Sequence, residues 1–210
     1  VPMWMIPIAL TVGNSFVWKP SDKTPLTPTL IANALKEAGL PDGALSIVLG
    51  NRESVEHLID HPEVKAVGFV GSTPVAQSVF QRGSAKLKRV LALGGAKNHI
   101  ILLPDADPQI TGQGIADSFT GCAGQRCMAA SVVLAVGDVT KLIEKIVERA
   151  QATTLSDKMG AIISKAALLR LNSAIDEAEK NGAKVVLDGR SPQTPSKFSA
   201  GNWLGPSILD

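Results

Sequence analysis

One cysteine in this chain stands where a nucleophile could be made. The run Gly124-Gln125-Arg126-Cys127 places a thiol after a glycine and beside a guanidinium. A thiolate is the strongest side-chain nucleophile near neutral pH, provided it is exposed and seated among positive groups. Gly124 permits a close backbone approach, the neighbouring amides offer donors to a developing oxyanion, and Arg126 brings positive charge. The alternative is that Cys127 is a small buried hydrophobe, as free cysteines commonly are. The other cysteine, Cys122, lies five residues earlier. On a helix the two would not share a face, and Cys122 is given no role.

Two further stretches suit a phosphate-bearing ligand. Phe69-Val70-Gly71-Ser72-Thr73 reads as strand, glycine, hydroxyl residues, then helix, which leaves free amides at a helix N-terminus. It is neither a Walker sequence nor a G-x-G-x-x-G fingerprint. Taken alone, the stretch is better read as an ordinary strand-to-helix turn with Ser72 or Thr73 as N-cap. Lys19-Pro20-Ser21-Asp22 ends an earlier strand, at the carboxyl edge where doubly wound sheets bind ligands. There Lys19 is placed to bond ribose hydroxyls with Asp22 nearby, or else both are solvated loop charges. The three histidines, His57, His61 and His99, are scattered, and no Cys/His spacing suits zinc.

The elements that would hold these residues alternate. Strands are expected at 15–19, 45–49, 66–70 and 87–93, with helices at 27–38, 54–59 and from Thr73 to about Arg82. Leu30, Ile31, Ala34, Leu35 and Ala38 share a face of the helix over 27–38, and Gly39 is its natural stop. This order predicts an α/β fold, a doubly wound parallel sheet of the nucleotide-binding kind. Gly94-Gly95 breaks the pattern. Residues 1–94 are therefore assigned to that domain, and residues 95–210 to part of a second α/β domain carrying Cys127. In the latter, strands are expected at 99–103, 131–136 and 185–187, and helices at 110–119, 139–150 and 165–181. The Ser-, Pro- and Gly-rich stretch 191–205 reads as loop.

Bulk properties narrow the class. Of 210 residues, 45% are hydrophobic and 19% charged, and the formal net charge is +2. Without a basic block, nucleic acid is a poor partner. Mean hydropathy is +0.17, but the apolar runs are broken by Pro or Gly and too short to cross a bilayer. Two cysteines do not make a disulfide scaffold, which points to a reducing compartment. The apolar start, 1–12, lacks a basic leader and an initiator Met, so residues are expected upstream.

Taken together, the motifs resemble a known family. Pro2-Met3-Trp4-Met5-Ile6-Pro7, the stretch Gly13 to Ser21, Phe69-Val70-Gly71-Ser72-Thr73, Pro104-Asp105-Ala106-Asp107 and Gly124-Gln125-Arg126-Cys127 occur in the order found in aldehyde dehydrogenases. Gly95-Ala96-Lys97-Asn98-His99 and the segment Ala123 to Ala129 resemble its CoA-acylating branch, the methylmalonate-semialdehyde (malonate-semialdehyde) dehydrogenases.

The resemblance implies NAD as cofactor and an aldehyde as small-molecule substrate. It makes Cys127 the nucleophile and places Lys19 at the adenosine ribose, with Asp22 at the slot of a family Glu that shares this task. Gly71 and Ser72 fall against the pyrophosphate and Gly50 by the adenine. Arg126 is the candidate to pair with the substrate carboxylate, the alternative being a structural arginine. The family's general base, a Glu just before its Gly-Gly-Lys-Asn motif, falls on Leu93 or Ala92 depending on the alignment, and neither can move a proton. Coenzyme A, itself a nucleophilic thiol, would then be the co-substrate that resolves the Cys127 thioester. The alternatives are a hydrolytic aldehyde dehydrogenase and a non-catalytic nucleotide-binding relic. The resemblance further implies that the chain is less than half of a parent working as a dimer or tetramer, in the mitochondrial matrix if eukaryotic and in the cytoplasm otherwise. It implies that the piece alone has little turnover.

Overall fold

A computed structural model describes residues 1–210. The chain divides into two compact units, Val1–Gly95 and Ala96–Asp210.

The first unit begins with α1 (Pro2–Thr11), which sequence reading did not anticipate. Proline at its first position sacrifices only an amide that has no helical partner, while Pro7 interrupts the ladder from inside. Ile6 is 1% exposed, and the Met5 thioether lies against Gly68, where any side chain would displace it. Then follow β1 (Phe16–Trp18), α2 (Leu26–Glu37), β2 (Leu45–Ile47), α3 (Arg52–Asp60), β3 (Ala66–Val70), α4 (Thr73–Ser84) and β4 (Arg89–Leu93). The expected α/β class with parallel strands holds. The strands pair two by two, β1 with β2 (Phe16 opposite Leu45) and β3 with β4 (Ala66 opposite Arg89), rather than in one continuous ladder. β4 starts two residues later than expected because Leu87, 96% exposed with φ +56°, belongs to the turn that closes α4. β2 likewise stops at Ile47, short of the expected Leu49.

The second unit contains β5 (Asn98–Leu102), α5 (Pro108–Thr120), β6 (Ala130–Ala135), α6 (Thr140–Gln151), α7 (Lys165–Lys180), β7 (Val185–Leu187) and β8 (Ile208–Leu209). β5 and β6 are parallel, with a register shift between Asn98 and His99; β7 and β8 are antiparallel. Leu102, Ile115, Val139, Leu142 and Ile146 form one core, knitting α5 and α6 onto the strand pair. Ile162, Ile175 and Leu204 form a second under α7. The segment expected as plain loop therefore contributes Trp203 and Leu204 to the interior. Arg190 staples this region: its guanidinium meets Asp188, Asp176 and Glu179 at 2.6–2.9 Å. That arrangement holds the Asp188 carboxyl at about 2, below its ordinary value, and pushes the Arg190 guanidinium up. No helix is long and apolar enough to cross a membrane.

Candidate active site

In the first unit β1, β2 and β3 lead into the residues singled out for a dinucleotide, and β4 ends at Leu93. Lys19 follows β1, and its Nζ donates to the Gly50 carbonyl oxygen, just past β2, at 2.8 Å. The adenine-side glycine and the ribose-side lysine are thus neighbours. Gly50 has φ +151°, and a Cβ there would collide with the Ser54 hydroxyl, so the chain needs glycine to turn into α3. Asp22 is exposed and forms no hydrogen bond with Lys19. Gly71 follows β3, and its amide donates to the Leu93 carbonyl at 3.1 Å. Ser72 occupies the N-cap of α4 but its hydroxyl does not cap, and Pro74 contributes no N–H. The Thr73 hydroxyl instead accepts from the Gly95 amide at 3.0 Å. Gly94 packs on the same threonine, 3.0 Å from where its Cβ would stand. The double glycine after β4 therefore lets the chain pass close by the N-terminus of α4. Leu93, one of the two residues at the slot of the family base, is an apolar strand residue with a half-exposed side chain.

In the second unit Cys127 is exposed, which removes the buried-hydrophobe alternative. Its loop is unusual from the backbone up. Cys122, Ala123 and Gly124 have φ of +52°, +54° and +68°, three left-handed residues in succession. Only glycine takes this conformation freely, so the first two are strained. Gly124 is required twice over, because its Cβ would stand 3.0 Å from the Phe119 carbonyl oxygen. Cys122 is accordingly not on an α-helix, and the face argument based on helical spacing does not apply to it.

Three side chains fix this loop. Gln125 Nε2 donates to the Cys122 and Ala161 carbonyls at 3.0 and 3.2 Å, while its Oε1 accepts from the Ile163 amide at 2.9 Å. Asn98 Nδ2 donates to the Cys127 and Ala129 carbonyls at 2.7 and 3.0 Å. Arg126 Nη2 donates to the Asp117 and Ser118 carbonyls at 3.1 and 3.0 Å, capping the C-terminal end of α5 over the bare face of Gly121. Part of the guanidinium assigned to substrate is thus structural, leaving Nε and Nη1 without a protein partner. The amides of Cys127 and Met128 likewise have no protein acceptor. Sequence reasoning missed Gln125 and Asn98, although both lie within motifs it had quoted. No cluster of His, Cys, Asp or Glu in the structure could hold a metal ion.

The chain is similar to known proteins along its whole length. The chain is 44% identical over 217 residues to malonate-semialdehyde dehydrogenase 1 of Geobacillus thermodenitrificans, covering 100% of this chain and 44% of the relative. It is 40% identical over 215 residues to the acylating, mitochondrial methylmalonate-semialdehyde/malonate-semialdehyde dehydrogenase of Bos taurus, covering 100% of this chain and 40% of that one. A Sinorhizobium meliloti protein solved in complex with NAD superposes with a TM-score of 0.91 at 38% identity, over 99% of this chain and 44% of the other. The chain thus spans less than half the length of these relatives. The sequence profile of the aldehyde dehydrogenase family matches residues 1–210 from end to end, and the chain belongs to that family.

Proposed function

We propose that the whole protein oxidises malonate or methylmalonate semialdehyde with NAD and passes the acyl group to coenzyme A. The observation that carries this is Cys127: an exposed thiol on a braced loop, beside two backbone amides with no protein acceptor. The names of the Geobacillus and Bos relatives support the substrate class.

The first unit suits NAD. The amides that open α4 have no capping side chain, and Lys19 presents an ammonium beside Gly50. Ser72 would hold the pyrophosphate through its backbone amide, and Gly71, whose own amide is engaged by Leu93, would stand against it. Lys19 would hold the adenosine ribose, with Asp22 and Gly50 at its edges. When bound, NAD supplies the acceptor for the hydride that leaves the aldehyde carbon.

Cys127 Sγ, as thiolate, adds to the aldehyde carbon, and the carbonyl electron pair moves onto oxygen. The amides of Cys127 and Met128 are the donors placed to meet that oxyanion. Loss of hydride leaves a thioester on Sγ. With Leu93 or Ala92 in the base slot, no carboxylate there activates water. The thiolate of coenzyme A attacks the thioester and releases Cys127 as thiolate. In the course of the reaction the bond from the α-carbon to the carboxylate breaks, carbon dioxide leaves, and the electron pair that stays on the α-carbon takes up a proton from solvent. Before that the carboxylate is held by the free Nε and Nη1 of Arg126, whose Nη2 keeps the guanidinium fixed on α5. The parent assembles as a dimer or tetramer, in the mitochondrial matrix of a eukaryote or the cytoplasm of a bacterium.

The test is a product assay on the whole protein with malonate semialdehyde and NAD, with and without coenzyme A. NADH and an acyl-CoA should form together, and only when coenzyme A is present. Free acid formed at the same rate without coenzyme A would establish the hydrolytic reaction instead.

A further inference from the structure

We propose that Asn98 is a positioning residue for the nucleophile, holding the Cys127 backbone to the end of β5; this rests on the assignment of Cys127 as the attacking group. Both partners of its side-chain nitrogen are backbone carbonyls, those of Cys127 at 2.7 Å and Ala129 at 3.0 Å. Only the amide nitrogen can face two carbonyls, so the orientation of this carboxamide is fixed by its neighbours.

The location explains why a side chain is needed. β5 begins at Asn98, opposite Ala130, and the ladder slips at once: His99 pairs with Val132. Ser131 is the extra residue, and the strand pairing ends there. The segment 127–129 thus approaches β5 where no further backbone amide of the strand can meet its carbonyls. Asn98 extends the ladder with its own two N–H groups, a rung made of side chain. Ala129 and Ala130 are buried, so the far end of the segment is fixed by packing. The near end, Cys127, is exposed; the Gln125 clamp and the Arg126 contacts to α5 hold the residues before it, and this rung is the hydrogen bond to Cys127 itself.

A thiol that must meet a carbonyl carbon needs its backbone held to within a fraction of an ångström. Asn98 touches no reacting atom. Its contribution is to fix where Sγ starts and where the Cys127 and Met128 amides point.

The experiment compares Asn98→Leu with Asn98→His in the 210-residue chain at pH 8, where the new ring is neutral. Leucine keeps the shape and removes both donors. Histidine is bulkier and has one Nδ1–H where asparagine has two amide N–H groups, enough to restore the shorter bond, to the Cys127 carbonyl. Alkylation by iodoacetamide is followed separately at Cys127 and Cys122 by peptide mass spectrometry, and Cys122 serves as the internal reference. In the parent chain Cys127 should react faster than Cys122. Asn98→Leu should lower the Cys127-to-Cys122 ratio by about tenfold or more while the Cys122 rate stays the same, and Asn98→His should retain most of the ratio. A side chain that merely fills space would give the reverse order, with leucine tolerated and histidine harmful. Should Asn98→Leu fail to fold by circular dichroism, Asn98→Ala takes its place with the same expectation. A ratio kept by the donor-free variant, or lost equally in both, overturns the role of Asn98 alone. A parent ratio near one overturns the assignment of Cys127, and that of Asn98 with it.

Discussion

Gly124→Ala should be among the more damaging single-methyl additions in the second unit. Gly124 has φ +68°, in the left-handed region, where a side chain costs about 1–2 kcal/mol. Its Cβ would also stand 3.0 Å from the Phe119 carbonyl oxygen, a backbone atom that cannot swing aside. Forcing that contact adds on the order of 1 kcal/mol. Restricting the unfolded chain returns about 0.4–1 kcal/mol, leaving a net loss of roughly 2 kcal/mol. For a chain of this size that is about 4–8 °C in Tm. Gly114→Ala is the matched control. Gly114 lies within α5, and nothing stands within 4 Å of its Cβ position. Alanine there should stabilise by about 0.5–1 kcal/mol. Both variants change the unfolded state alike, so the difference between their melting temperatures isolates the native backbone at Gly124. Differential scanning calorimetry on the two proteins reads it directly. If Gly124→Ala melts with the parent or above it, the left-handed turn before Cys127 is wrong, and with it the placement of the nucleophile.

Ala123→Gly should act in the opposite sense. At φ +54° alanine stores strain that glycine releases, so Tm should rise by a few degrees, from about 1 kcal/mol, unless the turn is not left-handed at that residue. Arg190→Gln should lower Tm at neutral pH, because three carboxylates lose their shared cation. The folded Asp188 carboxyl sits at about 2 against 3.8 for an unperturbed one, so its contribution is present above about pH 4 and fades as pH falls through 2. Acid titration of Tm for parent and variant should therefore draw the two together between about pH 4 and pH 2, and a constant gap down to pH 2 would contradict the pairing.

Much of the fold was legible because it obeys simple periods. β3 falls on the expected 66–70, and α7 on 165–180 against an expected 165–181, closed by left-handed Gly182. α1 was not legible for a physical reason. Pro2–Thr11 is apolar on every side and holds two prolines, so no polar face announces a helix. The pairing of strands two by two and the burial of Trp203 and Leu204 also depend on distant contacts that no local pattern contains. At the site, residue type and family resemblance together named Cys127, Lys19, Gly50 and Gly71; the structure leaves Cys127 exposed and sets Lys19 beside Gly50. Arg126 was read as a charge for sulfur and substrate, whereas part of its hydrogen-bonding capacity goes to the end of α5. Asn98 and Gln125 bind backbone carbonyls and amides remote in sequence, and a carboxamide bears no mark of which carbonyl it will meet.

The second unit holds two polar clusters, and their difference separates scaffold from site. Around Arg190 three carboxylates converge on one cation, each within 2.9 Å of it. Every guanidinium nitrogen there is already engaged by a carboxylate of the chain. Around Cys127 the arrangement is lopsided. The carbonyls of Cys122, Cys127 and Ala129 are claimed by Gln125 and Asn98, while the donors of Cys127, Met128 and the rest of the Arg126 guanidinium remain free. Through these donors the surface beside the sulfur offers hydrogen bonds to something that brings negative charge. An aldehyde oxygen becoming an oxyanion, and a carboxylate beyond it, are such groups. The strain at Cys122 and Ala123 belongs to the same account: a relaxed turn would not require two side-chain amides to hold it, and a loop so held presents its donors in one direction only.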